Sequence, residues 1–250
     1  MKPDLTWAEA ADAVLFSRKR LGFTPDPMQE RVLSRSVHRG ILNCTRQWGK
    51  STVTSVKALH RALVEPKCLV LVASPSRRQS AEFLTKTRHF ARTLGLKVRG
   101  DGANEVSLLL PNGSRLVGLP GKESTVRGFS NPALLLIDEA SRVPDSLFEA
   151  LTPMLATGNG DLWLMSTPAG ARGFFWETWE GGGSQWARIA VPATECPRIS
   201  KEFLEEERQR KGDRVFQQEY LCQFVQAEDT FFNDEDVQAC VRPEIPVLWR

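Results

Sequence analysis

The stretch Cys44-Thr45-Arg46-Gln47-Trp48-Gly49-Lys50-Ser51 decides the fold, because it fits the phosphate-binding pattern G-x-x-x-x-G-K-[ST] except that Cys44 replaces the leading glycine. It lies between the apolar pair Ile41-Leu42 and a helical periodicity over residues 52–63, which predicts strand, tight turn and helix. Such a loop wraps a polyphosphate in backbone N–H groups at the start of a helix. We call residues 44–51 the phosphate loop. The predicted nucleotide contacts here are Thr45, Arg46, Gln47, Trp48, Gly49, Lys50, Ser51 and Thr52.

A second element lies about ninety residues further on, where the apolar run Leu134-Leu135-Leu136-Ile137 ends in Asp138-Glu139. A continuous apolar run is typical of a strand buried on both faces, and such a strand has no packing reason to end in two acids. The chemistry of ATP hydrolysis supplies a reason. Asp138 and the Ser51 hydroxyl are predicted to hold Mg²⁺, and Glu139 is predicted to orient and polarise the attacking water.

The wider pattern alternates apolar strands with helices, which indicates a parallel sheet covered on both sides. Asp161-Leu162-Trp163-Leu164-Met165 is another such strand and ends in Ser166-Thr167. Ligands bind at the carboxyl ends of parallel strands, so the phosphate loop, Asp138-Glu139 and Ser166-Thr167 should converge on one crevice. Residues 105–110 and 115–119 flank Pro111-Asn112-Gly113-Ser114, a hairpin signal.

The predicted fold class is therefore α/β: a P-loop ATPase of the additional-strand, catalytic-glutamate type. We expect it to have a mainly parallel sheet between helices, with a small hairpin.

The N-terminal segment should add helices in front of this core. Thr6 and Glu9 have the spacing of a capping box, and the helix predicted to follow, to about residue 16, would bury Trp7, Ala11, Val14 and Leu15. Gln29 stands shortly before the phosphate loop, where a side-chain amide can both donate to and accept from an adenine edge. The alternative is a solvated glutamine at a helix start.

Composition excludes some classes of protein but does not identify the function. The chain has 250 residues, 41% hydrophobic and 25% charged, with a formal net charge of +3, which permits a nucleic-acid partner without requiring one. It contains neither an apolar run long enough to span a bilayer nor a secretory signal. Its five cysteines show neither disulfide nor metal-ligand spacing, so the expected location is the cytoplasm.

A basic face is predicted for the helix over residues 77–94, whose apolar residues fall on the opposite arc. Counted on to residue 99, the segment has seven basic residues against one acid. This face is either a solvated surface or a contact for a phosphate backbone.

Taken together, these motifs resemble the large terminase subunits of tailed bacteriophages, the motors that pump double-stranded DNA into the prohead. Arg46-Gln47-Trp48-Gly49-Lys50-Ser51 is similar to that family's R-Q-x-G-K-[ST] loop. Arg127-Gly128 ahead of Asp138, Met165-Ser166-Thr167-Pro168-Ala169-Gly170 and Phe216-Gln217-Gln218-Glu219-Tyr220 follow in the family's order. The resemblance covers about residues 25–232, nearly the whole chain.

The resemblance implies roles for particular residues. Arg46 would lie against the phosphates of its own subunit, and Arg127 would be a finger that reaches a neighbour's ATP. Ser166 and Thr167 would sense the γ-phosphate and pass its loss to DNA-gripping elements, unless they merely cap the strand end. Glu139 would be the catalytic carboxylate, with ATP and Mg²⁺ bound beside it.

The resemblance also implies partners: double-stranded DNA, a portal protein and a small terminase subunit, in the host bacterial cytoplasm and with no membrane. We expect a homo-oligomeric ring when the protein is active and a monomer in isolation. Two alternatives remain open, a helicase-type nucleic-acid translocase and a nucleotide-regulated assembly protein with little turnover.

The predicted organisation is one ATPase domain over residues 1–225, whose first 39 residues hold the N-terminal helices and the adenine-contacting segment. Residues 226–250 would be a linker towards a nuclease domain that this chain lacks. Asp234-Glu235-Asp236 are consecutive and diverge in direction, so we expect no nuclease activity from them.

Overall fold

One seven-stranded sheet organises the molecule in the computed structural model, which describes residues 5–34, 36–119, 121 and 128–226. The strands of this part of the chain are β1 (Arg39–Cys44), β2 (Leu69–Ala73), β3 (Ser107–Leu109), β4 (Arg115–Leu119), β5 (Leu134–Asp138), β6 (Asp161–Ser166) and β7 (Ala187–Val191). Their order is β3-β4-β2-β5-β6-β1-β7, and every neighbouring pair is parallel except β3 and β4. The predicted mainly parallel sheet with a small hairpin is confirmed.

Helices cover both faces of this sheet. They are α1 (Trp7–Ala11), α2 (Ala13–Arg20), α3 (Pro27–Ser34), α4 (Lys50–Val64), α5 (Arg77–Thr93), α6 (Asp145–Leu151), α7 (Gly173–Gly181), α8 (Lys201–Lys211) and α9 (Asp213–Glu219). Side chains alternate between two buried layers: Leu136 faces the layer that contains α4 and α5, whereas Ile137 faces the layer that contains α6 and α7. The central strands are apolar throughout because both of their faces are buried.

The position of β6 matters most for the site. It pairs with β1 on one side and with β5 on the other, with Asn43 opposite Ser166 and Asp138 opposite Met165. The ends of β1, β6 and β5 therefore lie side by side at one edge of the sheet, as the sequence predicted.

The N-terminal helix differs from its prediction. The Thr6–Glu9 capping box forms, but the helix breaks at Asp12, whose carboxylate accepts hydrogen bonds from the N–H groups of Val14 and Leu15 and so starts α2. The break removes the single continuous stripe, and Trp7 is 93% exposed rather than buried. Ala11 is also exposed, Leu15 is half-buried and only Val14 is fully in the core.

Several predictions fall on residues outside the described ranges. They include Arg127, Asp234-Glu235-Asp236 and nearly all of the linker over 226–250, so the domain boundary remains a prediction. Within the described ranges, no helix is long and apolar enough to cross a membrane.

Candidate active site

A cavity of about 580 Å³ opens at the carboxyl edge of the sheet. Its walls come from the phosphate loop, the end of β5 and helix α5. The lining residues are Arg46, Gln47, Gly49, Lys50, Ser51, Thr52, Gln79, Lys86, Glu139 and Arg142. Seven of the predicted site residues thus share one cavity of a size that suits a small ligand.

Opposite charges face each other across this cavity. The Lys50 ammonium lies 2.7 Å from Oε1 of Glu139, and Oε2 of the same carboxylate lies 3.1 Å from Nη1 of Arg142. Burial alone would lower the pKa of Lys50, but the surrounding negative charge, including the carboxylates of Glu139 and Asp138, outweighs it and raises that pKa. Lys50 is therefore a cation held ready for an anionic ligand.

Ser51 and Asp138 form the second pair. The Ser51 hydroxyl donates to Oδ2 of Asp138 at 2.9 Å, while Oδ1 accepts from the Glu139 backbone N–H at 3.1 Å. Asp138 is only 5% exposed, and its burial raises the pKa of the carboxyl group. Serine and carboxylate oxygens are the hard donors that Mg²⁺ prefers, so this pair fits that ion.

The backbone of the phosphate loop bends sharply above these pairs. Gln47 and Gly49 both have left-handed backbone angles, with φ of +63° and +97°. At Gly49 a Cβ would lie 3.1 Å from Nε2 of Gln29, so glycine suits both the conformation and the close approach. Turns of this kind point successive N–H groups into an anion-binding concavity.

Three members of the phosphate loop, Cys44, Thr45 and Trp48, are buried and do not line the cavity. Trp48 is completely buried, so any contact with a ligand would come from its backbone and not from its side chain. Cys44 is the last residue of β1 and is also completely buried, with Sγ 3.8 Å from the carbonyl oxygen of Ser166. The side chain that replaces the leading glycine of the pattern therefore lies in the core at the end of the strand and does not enter the tight turn.

Gln29 lies behind the loop. Its Nε2 donates to the carbonyl oxygen of Trp48 at 3.2 Å, and its Oε1 accepts from the Asp26 N–H at 3.0 Å. The side chain is 3% exposed and both ends of its amide have partners inside the protein. An adenine contact by Gln29 therefore remains a prediction that requires these bonds to be exchanged.

Arg46 lines the cavity but points its guanidinium at α9. Its Nη2 lies 3.0 Å from Oε1 of Glu219, and Lys211 binds the other oxygen of Glu219 at 2.8 Å. Thr45 is fully buried and its hydroxyl donates to the carbonyl oxygen of Glu219 at 3.0 Å. Asn43, two residues earlier, donates to the Cys222 carbonyl at 2.8 Å. The end of β1 and its loop are thus fastened to the segment that follows α9.

Ser166 and Thr167 are buried and do not line the cavity. The Ser166 hydroxyl lies 2.7 Å from that of Ser141, two residues beyond Glu139, and the Thr167 hydroxyl donates to the Cys44 carbonyl at 2.9 Å. These two residues therefore connect the end of β6 to the segments on both sides of it.

Four residues at or behind the cavity escaped the sequence analysis. Gln79 and Lys86 belong to α5, and Lys86 was counted only among the basic residues of its outer face. Arg142 follows Glu139 by three residues, a spacing that could have suggested the contact in a helical turn. Arg198 comes from an irregular segment after β7 and carries no sequence signal of its contact with Trp48.

The family model described as the terminase large subunit, T4-like-virus type, N-terminal part, matches residues 41–239, most of the chain. The chain belongs to the terminase large-subunit family. A curated terminase large subunit of Thermus virus P23-45 is 24% identical over 252 residues, a match that covers 87% of this chain and 52% of that protein. This terminase chain thus spans about half the length of the curated relatives that it matches.

Solved structures show the same fold. The large terminase ATPase domain of Thermus phage P74-26 superposes with a TM-score of 0.74 at 21% identity, covering 90% of this chain and all of that one. The large terminase of another thermophilic bacteriophage, solved in complex with ADP, gives a TM-score of 0.64 at 16% identity, covering 85% of this chain and 52% of that one. The described residues therefore have the fold of a large terminase ATPase domain.

Proposed function

We propose that this chain is an ATP-hydrolysing motor domain that drives double-stranded DNA into a phage prohead. The observation that carries the proposal is a cavity lined by Lys50, Ser51 and Glu139, in which Lys50 contacts Glu139 at 2.7 Å and Ser51 donates to the buried Asp138 at 2.9 Å. A nucleotide-binding loop, a buried carboxylate and a second carboxylate in the wall of the cavity are the parts that phosphoryl transfer to water requires. The family assignment favours the motor over a helicase-type translocase or an assembly protein.

Nucleotide entry should rearrange the Lys50–Glu139 pair. A triphosphate carries more negative charge than one carboxylate, so the Lys50 ammonium should transfer to the phosphates. Glu139 then loses one of its two cationic partners and can accept a hydrogen bond from the attacking water. The backbone N–H groups of the phosphate loop would hold the transferred phosphoryl group in place.

Mg²⁺ would be held by Ser51 and Asp138, and it would supply positive charge against the phosphate oxygens. Within the described ranges, no group of three or more His, Cys, Asp or Glu side chains could hold a metal by itself. This fits Mg²⁺, which is bound through few protein ligands together with phosphates and water.

Ser166 and Thr167 would couple the site to motion. Thr167 bonds to the carbonyl at the start of the phosphate loop, and Ser166 bonds to Ser141 beside Glu139. A change at either end of the cavity can therefore reach β6 through a single hydrogen bond. In this role the two residues act without touching the nucleotide.

The assembly and its partners are part of the same proposal. The motor would work as a ring in the host cytoplasm, with portal protein, small subunit and DNA as partners, and Arg127 would complete a neighbour's site. The large terminase of the second thermophilic phage was solved with ADP and with ATP-γ-S, which supports a nucleotide as the ligand. A guanidinium supplied in trans makes turnover depend on assembly.

The test measures ATP binding by calorimetry and turnover against protein concentration. Wild type should bind Mg-ATP, and Lys50→Ala should bind none because the phosphates lose their main cation. Turnover per chain should rise with concentration in wild type and stay flat in Arg127→Ala. Retained ATP binding by Lys50→Ala would refute the site, and a flat wild-type profile unaffected by Arg127→Ala would refute the ring finger.

A further inference from the structure

The carbonyl oxygen of Trp48 is held by two donors behind the phosphate loop. Gln29 donates to it through Nε2 at 3.2 Å, and Arg198 donates to it through Nη2. The next residue is Gly49, which lies close to both donors: a Cβ built there would be 3.1 Å from Gln29 Nε2 and 3.9 Å from Arg198 Nη2. The orientation of the peptide group between Trp48 and Gly49 is therefore held by two side chains that do not belong to the phosphate loop.

Fixing this carbonyl also fixes an N–H group. In a planar trans peptide the carbonyl of one residue and the N–H of the next point in opposite directions. With the Trp48 carbonyl directed at Gln29 and Arg198, the Gly49 N–H points away from both of these side chains, and Gly49 is one of the residues that line the cavity. An N–H group at this position of the loop is available to bind a phosphate oxygen when it faces the cavity.

Arg198 is itself held in position by Asp26. Its Nη1 lies 3.0 Å from Oδ2 of Asp26, whose Oδ1 accepts from the Gln29 N–H at 2.9 Å. The fork of the guanidinium thus joins a carboxylate and a carbonyl at once, which one ammonium cannot reproduce in the same geometry. Arg198 does not line the cavity, so it acts on the loop rather than on the ligand.

We propose that Arg198 is a positioning residue for the phosphate loop: by holding the Trp48 carbonyl it presents the Gly49 N–H to the polyphosphate part of the ligand, whatever the base. The inference rests on the proposed nucleotide site. It predicts that loss of Arg198 weakens binding of ATP and of a polyphosphate without a base equally. A contact between Arg198 and the adenine ring would instead affect only ATP.

The experiment compares two probes on the full 250-residue chain, Mg-ATP and inorganic tripolyphosphate, by calorimetry. Arg198→Ala should weaken both by the same factor, about tenfold, because one charge-assisted hydrogen bond to the loop is lost. Arg198→Lys should recover part of the loss for both probes. Arg18→Ala is the matched control, since Arg18 is 47% exposed and paired with Glu30 while Arg198 is 49% exposed and paired with Asp26.

The affinities of the Arg198 variants for the two probes either support or contradict the positioning role. Loss of affinity for ATP but not for tripolyphosphate would make Arg198 a base contact and overturn the proposal, and unchanged affinity for both would overturn it as well. A misfolded fraction would reduce the number of binding sites rather than the affinity, and the fitted stoichiometry reports it. If Arg198→Ala does not fold, Arg198→Lys carries the same comparison.

A second readout addresses the peptide group itself. Hydrogen exchange at the Gly49 amide should slow on adding tripolyphosphate in wild type, and should slow less in the Arg198 variants. If wild type binds neither probe, the nucleotide site fails together with this inference. If wild type binds both and the variants match it, only the role of Arg198 fails.

Discussion

The Lys50 ammonium lies 2.7 Å from the Glu139 carboxylate, and this pair joins the first residue of α4 to the residue that follows β5. In the proposed function the ammonium would bind the phosphates and the carboxylate would polarise water, and here the two groups neutralise each other. Their side chains are 12% and 22% exposed, so the attraction is only partly screened by water. A nucleotide that binds Lys50 through its phosphates would therefore have to displace Glu139 from this pair.

Replacing Glu139 by glutamine should separate binding from chemistry. We expect Glu139→Gln to lower kcat about a hundredfold, because the amide cannot take a proton from the attacking water. ATP affinity should be kept or slightly improved, since Lys50 no longer has a competing partner. Single-turnover hydrolysis and calorimetry measure the two effects, with Glu149→Gln, an exposed carboxylate on α6, as control. Unchanged turnover would indicate an assembly protein that only holds nucleotide.

Releasing Arg46 from Glu219 should favour the nucleotide. Arg46 is 50% exposed, and an ion pair with that much water around it contributes below about 1 kcal/mol. We therefore expect Glu219→Gln to tighten ATP binding about threefold and Arg46→Ala to weaken it. Glu202→Gln on α8 is the control for removing a carboxylate near this segment. Equal affinities in all three variants and wild type would exclude any role of Arg46 at the phosphates.

The cysteine at position 44 should matter for stability and not for turnover. Cys44→Ala removes a fully buried sulfur from the end of β1 and should cost about 1 kcal/mol of unfolding free energy, seen as a lower Tm. Its kcat and KM should match those of wild type, because the side chain lies outside the cavity. Cys196→Ala, at another buried thiol, controls for the packing loss. A KM raised severalfold in Cys44→Ala but not in Cys196→Ala would contradict this prediction and indicate that the Cys44 side chain affects the phosphate loop.

Low pH should weaken the packing of α8 against α9, because protonation of Glu207 removes its ionised interactions with Tyr220, Arg210 and Lys211. A hydrogen bond from Tyr220, 2.5 Å long, and the cations of Arg210 and Lys211 lower the pKa of Glu207 to about 2 from its ordinary 4.5. The carboxylate therefore stabilises the fold fully above pH 4.5 and loses this effect as the pH falls towards about 2.

Thermal unfolding measured from about pH 6 to pH 3 tests this dependence. Glu207→Gln should be less stable than wild type at the upper end, and the difference should narrow towards the lower end without closing, because the folded-state pKa of Glu207 is about 2. Glu205→Gln on the same helix controls for the loss of a carboxylate. Parallel curves for Glu207→Gln and wild type would contradict the assignment.

Most of the fold could be predicted because its signals are local. The apolar run of β5 and the G-K-S turn each specify an element by themselves, and the rule for parallel sheets then places their ends together. The same rule placed Ser166 at that edge. It could not show that its hydroxyl bonds to Ser141 instead of facing the cavity, since that depends on side-chain direction.

The missed features depend on contacts between distant segments. Arg198 reaches Trp48 from 150 residues further along the chain, and no periodicity encodes such a contact. The spacing of Trp7 suits the buried face of one continuous helix. The capping side chain of Asp12 divides that helix into α1 and α2, and Trp7 on α1 is then exposed to solvent. Local sequence patterns predict the helices and strands. Which side chains face the core or the cavity depends on helix breaks and on contacts of long polar side chains, which these patterns do not encode.

The bonds from Thr45 to Glu219 and from Asn43 to Cys222 place the phosphate loop directly against the strip of polypeptide that runs on towards residue 226. The loop and this strip therefore cannot separate unless both hydrogen bonds break. A small displacement of the loop would be transmitted through these two bonds to residues 219–222 directly, without passing through the strands of the sheet.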